Sequence, residues 1–102
     1  MPRPVVFRLL DVRRCAEDHK LVHLVGSFDP PGLPRLATDA LAESRAWWSE
    51  PTATWVVRTP EALLLLMSSG EVTVTRAVSE ADALAALERL IASPMKTQSA
   101  KE

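Results

Sequence analysis

The sequence predicts an α+β domain in which about five antiparallel strands form a sheet, two helices cover one face, and an extra strand precedes them. Two observations support this prediction. Residues 59–77 contain an apolar run, the turn Ser68-Ser69-Gly70 and a run of alternating polar and apolar residues, which together predict a β-hairpin. A helix pattern starts directly afterwards at Ser79, a favourable N-cap that precedes acidic residues and leucines at helical spacing.

The remaining elements are predicted upstream of this hairpin. Residues 4–14 are rich in β-forming apolar side chains and predict a strand whose two faces cannot be told apart by alternation. Residues 21–28 predict a second strand, in which Gly26 indicates a bend or a close approach of backbone. Residues 33–46 predict a helix, and the alternation in residues 52–58 predicts a third strand. The resulting order is β-β-α-β-β-β-α.

Length and composition predict one domain without membrane association. The 102 residues are expected to form a single domain over residues 1–93, followed by a polar, disordered tail over residues 94–102. The net charge of −1 provides no global attraction to nucleic acid or to anionic lipid. No apolar run approaches the ~20 residues of a membrane span, and no signal peptide is recognised at the start. The single cysteine, Cys15, fits a cytoplasmic location.

Patterns typical of catalytic or metal sites are not found in the sequence. A glycine-rich phosphate loop, a nucleophile elbow and a pair of catalytic carboxylates are all missing. His19 and His23 have no cluster of thiols or carboxylates at ligand spacing, and Cys15 is expected to be a passive thiol. We therefore expect a non-enzymatic protein that uses no cofactor and no metal.

The alternation within the strands assigns their side chains to two faces. The side chains predicted to be buried under the helices are Trp55, Val57, Leu64, Leu66, Val72, Val74, Leu84 and Leu87. Those predicted on the opposite face are His23, Val25, Ser27, Thr52, Thr54, Val56, Arg58, Leu63, Leu65, Met67, Glu71, Thr73 and Thr75. An apolar row such as Leu63, Leu65 and Met67 on that face is typical of an interface, although the N-terminal strand or the tail is an alternative cover for it.

From Leu21 to about Ala92, the chain resembles one repeat of the TATA-binding protein core. LVHLVGSFDP, residues 21–30, resembles the first strand of a repeat, and LPRLATDAL, residues 33–41, is similar to its first helix. Residues 62–83 resemble its Ser-Ser-Gly hairpin and the start of its long helix. The resemblance implies a sheet curved into a half-saddle, and a homodimer is needed for a full saddle because the chain has length for one repeat only.

The resemblance also implies a role in transcription, with the concave sheet face in the minor groove of double-stranded DNA. The residues predicted to contact DNA or a partner are His23, Val25, Thr54, Arg58, Leu63, Leu65, Met67, Thr73 and Thr75. Glu50 stands in place of a wedge phenylalanine, while Glu61 and Glu71 stand in place of lysines and are expected to flank the concave face. Because carboxylates repel phosphate and do not intercalate, the expected DNA binding is weak and strongly dependent on salt.

Two functions stay open at this point. The first is a homodimeric saddle that binds double-stranded DNA weakly through its concave face. The second is a protein-interaction module that uses the same face and has lost DNA binding. The strand in residues 4–14 departs from the family pattern, and it is a candidate for the sheet edge through which the family's two repeats join.

Overall fold

A computed structural model describes residues 4–17 and 20–99 of the chain. Within these residues the strands are β1 (Val5–Arg14), β2 (Val22–Asp29), β3 (Arg45–Ser49), β4 (Thr54–Arg58), β5 (Leu63–Met67), β6 (Glu71–Ala77) and β7 (Met95–Ser99), and the helices are α1 (Thr38–Ala42) and α2 (Glu80–Leu90). The strands form one sheet in the order β3-β4-β5-β6-β2-β1-β7. All neighbours pair antiparallel except β1 and β7, which are parallel.

The predicted α+β class with an antiparallel sheet is confirmed, but the five strands in the predicted order are too few. The described part of the chain forms a sheet of seven strands, because both β3 and β7 were missed. Within the same part, no helix combines the length and the apolar character that crossing a membrane requires.

The prediction of a helix over residues 33–46 is wrong. Only Thr38–Ala42 is helical, and the segment that follows forms β3. Ala37 donates its backbone N–H to the Leu90 carbonyl at 2.7 Å, which holds the preceding residues extended along the end of α2. Trp48 then packs edge-on against Trp55 of β4, with ring centroids 5.8 Å apart. Strand pairing and aromatic contact outweigh the modest helical preference of the segment.

The prediction of a disordered tail over residues 94–102 is also wrong where the structure can test it. Met95–Ser99 forms β7 beside β1, and Val5 donates its N–H to the Pro94 carbonyl at 2.8 Å. Met95 packs against the hydrophobic core. This one apolar contact fixes the tail to the domain, although most residues of the tail are polar. Residues 100–102 lie outside the described residues.

The N-terminal strand pairs with β2 in an antiparallel register. β1 therefore pairs along the edge of β2 that β6 leaves free, and β7 adds a further strand on the other side of β1. In the described part of the chain, β3 and β7 are the outer strands. The alternative in which residues 4–14 cover the row Leu63, Leu65 and Met67 does not hold, because β1 is a strand within the same sheet and does not lie across its face.

The core lies between the sheet and α2. The helix buries Ala83, Ala86, Leu87 and Leu90 against the sheet, and α1 contacts α2 beside them. The other core side chains include Phe7, Leu24, Phe28, Val57, Leu64, Leu66, Val72 and Val74, all at most 4% exposed. Two of the predicted core residues, Trp55 and Leu84, are only half-buried. Trp55 lies one strand from the outer strand β3, and Leu84 lies beside the buried stripe of α2.

The predicted hairpin and the predicted helix start are both confirmed. Gly70 has a φ of 99° in the turn between β5 and β6, a conformation that favours glycine. Its carbonyl accepts the N–H of Phe28 at 2.9 Å, which fixes the hairpin to the end of β2. At the start of α2, the Ser79 hydroxyl accepts the N–H of Asp82 at 3.1 Å.

Candidate binding face

The sheet has one face that α2 does not cover. In an antiparallel ladder paired residues share a face, and neighbours along a strand point to opposite faces. Since Leu64 and Leu66 are fully buried under the helices, Leu63, Leu65 and Met67 point the other way. We call this surface the open face: His23, Val25 and Ser27 of β2, Arg45, Trp47 and Ser49 of β3, Thr54, Val56 and Arg58 of β4, Leu63, Leu65 and Met67 of β5, and Glu71, Thr73 and Thr75 of β6.

All of the residues predicted to contact DNA or a partner lie together on the open face, and the predicted strand register is correct. Thr52, which was also expected there, lies in the turn before β4. Thr54 is only 4% exposed, and its hydroxyl donates a hydrogen bond to the Thr52 carbonyl at 2.8 Å. Thr54 therefore offers little to a partner. His23 is half-buried, opposite Arg13 of β1.

The pairing aligns an apolar row across the middle of the open face. Successive strand pairs join Trp47 to Val56, Val56 to Leu65, Leu65 to Thr73 and Thr73 to Val25. We call these five residues the central row. Trp47 is 52% exposed and the other four are partly exposed. Trp47, Val56 and Leu65 lie side by side and form an apolar strip, and Thr73 separates this strip from Val25.

One end of the open face is basic. Arg45 and Arg58 are directly paired across β3 and β4, an arrangement in which like charges destabilise a sheet. Arg76 follows on β6, at an irregular position opposite His23. Arg58, Leu63 and Arg76 line a hollow of about 180 Å³ at this end.

We call Arg45, Arg58 and Arg76 the basic end. In the described part of the chain, none of them forms an ion pair with a carboxylate. Their charges are therefore available to an external group. Of these three arginines, the sequence predicts only Arg58 at this surface, because residues 33–46 are predicted to be helical and the irregularity at Arg76 has no sequence signal. The run Arg-Ala-Trp-Trp-Ser, rich in aromatic β-formers, is the signal that identifies β3.

The other end of the same strands is acidic. Glu71 begins β6 on the open face and is exposed, while Glu50 is exposed in the turn after β3. We call Glu50 and Glu71 the acidic end. Neither carboxylate forms an ion pair within the described residues. Asp29 lies at the same end of β2, where it is bound by Arg8 at 3.0 Å. The open face therefore has opposite charges at its two ends and an apolar strip between them.

The expectation that Glu61 flanks this surface is wrong. Its carboxylate forms an ion pair with Arg89 of α2 at 2.7 Å, on the side of the sheet that carries the helices. The turn that positions it is held by Thr59, whose hydroxyl accepts the N–H groups of Glu61 and Ala62 at 3.2 and 3.1 Å. The hydrogen bond from Arg89 is the main cause that lowers the pKa of Glu61, with its own backbone N–H and Thr59 contributing further.

No group of three or more potential metal-binding side chains occurs within residues 4–17 and 20–99. His19, which is predicted to have no metal-binding cluster beside it, lies outside the described residues. Cys15 is partly exposed beyond the end of β1, and its N–H donates to the Leu21 carbonyl at 2.8 Å.

Comparison of the chain with protein-family models, with curated proteins and with solved structures gave no match. The resemblance to a repeat of the TATA-binding protein, and with it the half-saddle curvature, therefore stays a prediction from the sequence.

Proposed function

We propose that the protein is a non-enzymatic interaction domain whose open face binds a polypeptide surface. The observation that supports this is the central row, an apolar strip on a face that no helix covers in the described part of the chain. Exposed Trp47, Met67 and the arginines of the basic end belong to the residue types that are enriched in protein interfaces. The free thiol of Cys15 fits a cytoplasmic site of action.

A polypeptide fits this face better than a nucleic acid because the charge on the face is mixed. Glu71 is exposed at one end of the strands, and a polyanion lying along the face would meet it. An edge-to-edge dimer through β2, which a saddle of two such sheets requires, also conflicts with the position of β1. β1 and β7 occupy that side of the sheet, so such a dimer would require β1 to be displaced.

The second candidate function is weak binding of double-stranded DNA by a homodimer. The basic end favours it, because Arg45, Arg58 and Arg76 lie near one another without carboxylate partners among the described residues. Arginine is the residue type that most often binds phosphate in a bidentate manner. Three such contacts support only modest, salt-sensitive affinity.

Proximity labelling in cells of the source organism tests the first function. The wild-type domain is compared with Leu65→Asp, which places a charge in the central row, and with Val78→Asp. Val78 is 68% exposed on the loop before α2, outside the open face, so it controls for the added charge. We expect the Leu65 variant to lose the labelled partners and the Val78 variant to keep them. Equal recovery by both variants, with both folded by circular dichroism, would overturn the proposal.

A further inference from the structure

We propose that the open face is self-complementary and that its occupant is a second copy of this chain, packed face to face about a two-fold axis. This inference rests on the proposed interaction function and names the partner. The geometry that supports it is the opposed charge at the two ends of the same strands, with the apolar central row between them.

Charges of opposite sign lie at the two ends of the same strand, both on β6 and on β3. β6 begins at the acidic Glu71 and reaches Arg76 near its other end. β3 begins at Arg45, and Glu50 follows its last residue. Each of these strands therefore has a cationic end and an anionic end. The basic ends lie on one side of the face, because Arg45 pairs with Arg58, and Arg58 and Arg76 line the same hollow.

A two-fold axis that lies in the interface and runs perpendicular to the strands brings unlike charges together. Such a rotation reverses the direction of every strand while keeping its position across the sheet. Arg76 of one copy then lies over Glu71 of the other, and Arg45 lies over Glu50 of the other. Each contact occurs twice, as isologous symmetry requires. The strands of the two sheets stay within about 30° of antiparallel, which is the aligned mode of sheet packing.

The axis runs along the central row. Val56 and Leu65 lie midway along β4 and β5, and Thr73, which pairs with Leu65, lies one residue from the middle of β6, so each would meet its own counterpart in the second copy. On either side of the axis, Leu63 of one copy would meet Met67 of the other, because these two residues lie equally far from Leu65 on β5. Apolar side chains thus meet apolar side chains across the middle, while charged pairs lie at both rims, as in many protein interfaces.

The area of the open face determines the affinity that we expect for the dimer. Five strands at about 4.8 Å spacing, each about 17 Å long, give a face of roughly 400 Å². This is about half of the roughly 800 Å² per partner in an interface of standard size. We therefore expect a reversible dimer that needs micromolar protein and dissociates more readily at high salt, since exposed charge pairs are screened.

Other occupants match fewer of these features. An acidic peptide would neutralise Arg45 and Arg58, but it would place its own negative charges next to the carboxylate of Glu71. Double-stranded DNA would meet the acidic end and would not cover the central row. The second copy pairs two of the three arginines of the basic end with the two carboxylates of the acidic end, and it also covers the apolar strip.

Charge reversal provides the decisive experiment. The full chain is studied by sedimentation equilibrium as wild type, as Arg76→Glu, as Glu71→Arg and as the combined variant. Each single change creates two like-charge contacts per dimer, and we expect the dimer Kd to rise about tenfold or more. The combined variant restores both contacts with the charges exchanged, so its Kd should return close to that of the wild type. Structural damage would not be repaired in this way.

A cross-linking measurement tests the position of the axis. In a Cys15→Ser background, Leu65→Cys should give a covalent dimer with a short bismaleimide, because the two introduced thiols lie near the axis. Val78→Cys in the same background is the control. Because this position lies outside the open face, it should give no covalent dimer under the same conditions.

Two results would overturn the inference. A wild-type chain that stays monomeric at its highest soluble concentration excludes the dimer. A dimer whose Kd is unchanged by both single charge reversals uses another surface, such as the outer strand β3. Neither result decides whether the open face binds a different polypeptide. That question is decided separately by the partner recovery of the Leu65→Asp variant.

Discussion

The ring of Phe7 on β1 lies directly against Gly26 on β2. A Cβ atom on Gly26 would stand 2.3 Å from the Phe7 Cζ atom and 2.5 Å from the Arg8 carbonyl oxygen. Phe7 is fully buried and packs against Phe28, with ring centroids 5.3 Å apart, so the ring has little room to move away. The close approach predicted at Gly26 is therefore confirmed, and its cause is the N-terminal strand.

We expect Gly26→Ala to lower the free energy of unfolding by about 2–3 kcal/mol, because the added methyl group overpacks a filled core. Urea denaturation measures the change. A double variant that combines Gly26→Ala with Phe7→Leu lacks the aromatic Cζ atom. Its loss in free energy of unfolding should therefore be smaller than the sum of the losses in the two single variants. The Arg8 carbonyl contact remains, and the recovery should therefore be partial. A cost of Gly26→Ala below about 0.5 kcal/mol would contradict the tight packing at this site.

Strand β7 leads to a second prediction. Removal of residues 94–102 deletes the strand that pairs with β1 and the Met95 side chain that packs on the core. We expect the Val5 amide, which donates to Pro94, to lose its protection in hydrogen exchange while the amides of β5 keep theirs.

The single change Lys96→Ala serves as the matched control, because Lys96 is exposed and its backbone can still pair. Unchanged protection of Val5 after the truncation would show that β7 contributes nothing to the order of β1.

The ion pair of Glu61 with Arg89 predicts a dependence of stability on pH. The hydrogen bond from Arg89 lowers the pKa of Glu61 in the folded state below its ordinary value of 4.5. The folded state therefore binds this proton less readily than the unfolded state. The stabilisation is present above pH 4.5 and is lost as the pH falls through the lower pKa of the folded state.

Arg89→Gln should therefore make the fall in stability below pH 4.5 less steep, measured by urea denaturation over a series of pH values. Glu88→Gln, a neighbouring exposed change on α2, is the control for altered charge. An unchanged slope in the Arg89 variant would show that the pair does not hold the carboxylate pKa down in solution.

Binding of double-stranded DNA gives the fourth prediction. We expect the wild type to bind weakly, without preference for a TATA sequence, and less at moderate than at low salt. Glu50→Phe with Glu71→Lys should strengthen binding, since the pair removes both carboxylates of the acidic end. Glu61→Lys should change binding little, because Glu61 lies on the helix side and pairs with Arg89.

Fluorescence anisotropy at two salt concentrations measures these affinities. Tight and sequence-selective binding by the wild type would favour the DNA-binding function over the polypeptide-binding function. Equal strengthening by Glu61→Lys and by the paired change would indicate a long-range effect of net charge, with no special role for the open face.

The candidate surface could be predicted in large part because strand alternation is a local property. Once Leu64 and Leu66 were assigned to the core, Leu63 and Leu65 had to point away from it. The segment around Arg45 escaped prediction because its helical spacing and its β-forming tryptophans conflict. Only the pairing with β4 resolves that conflict in favour of a strand.

The sequence by itself determined the α+β class, the β5–β6 hairpin, the capped start of α2 and the two faces of the central strands. These features depend on turn residues, capping residues and hydrophobic periodicity, which act between near neighbours. The tertiary structure alone decided that β1 lies beside β2, that Met95–Ser99 joins the sheet, and that Glu61 pairs with Arg89. These contacts join residues far apart in the chain, and many alternative pairings satisfy the same local pattern until the whole core is packed.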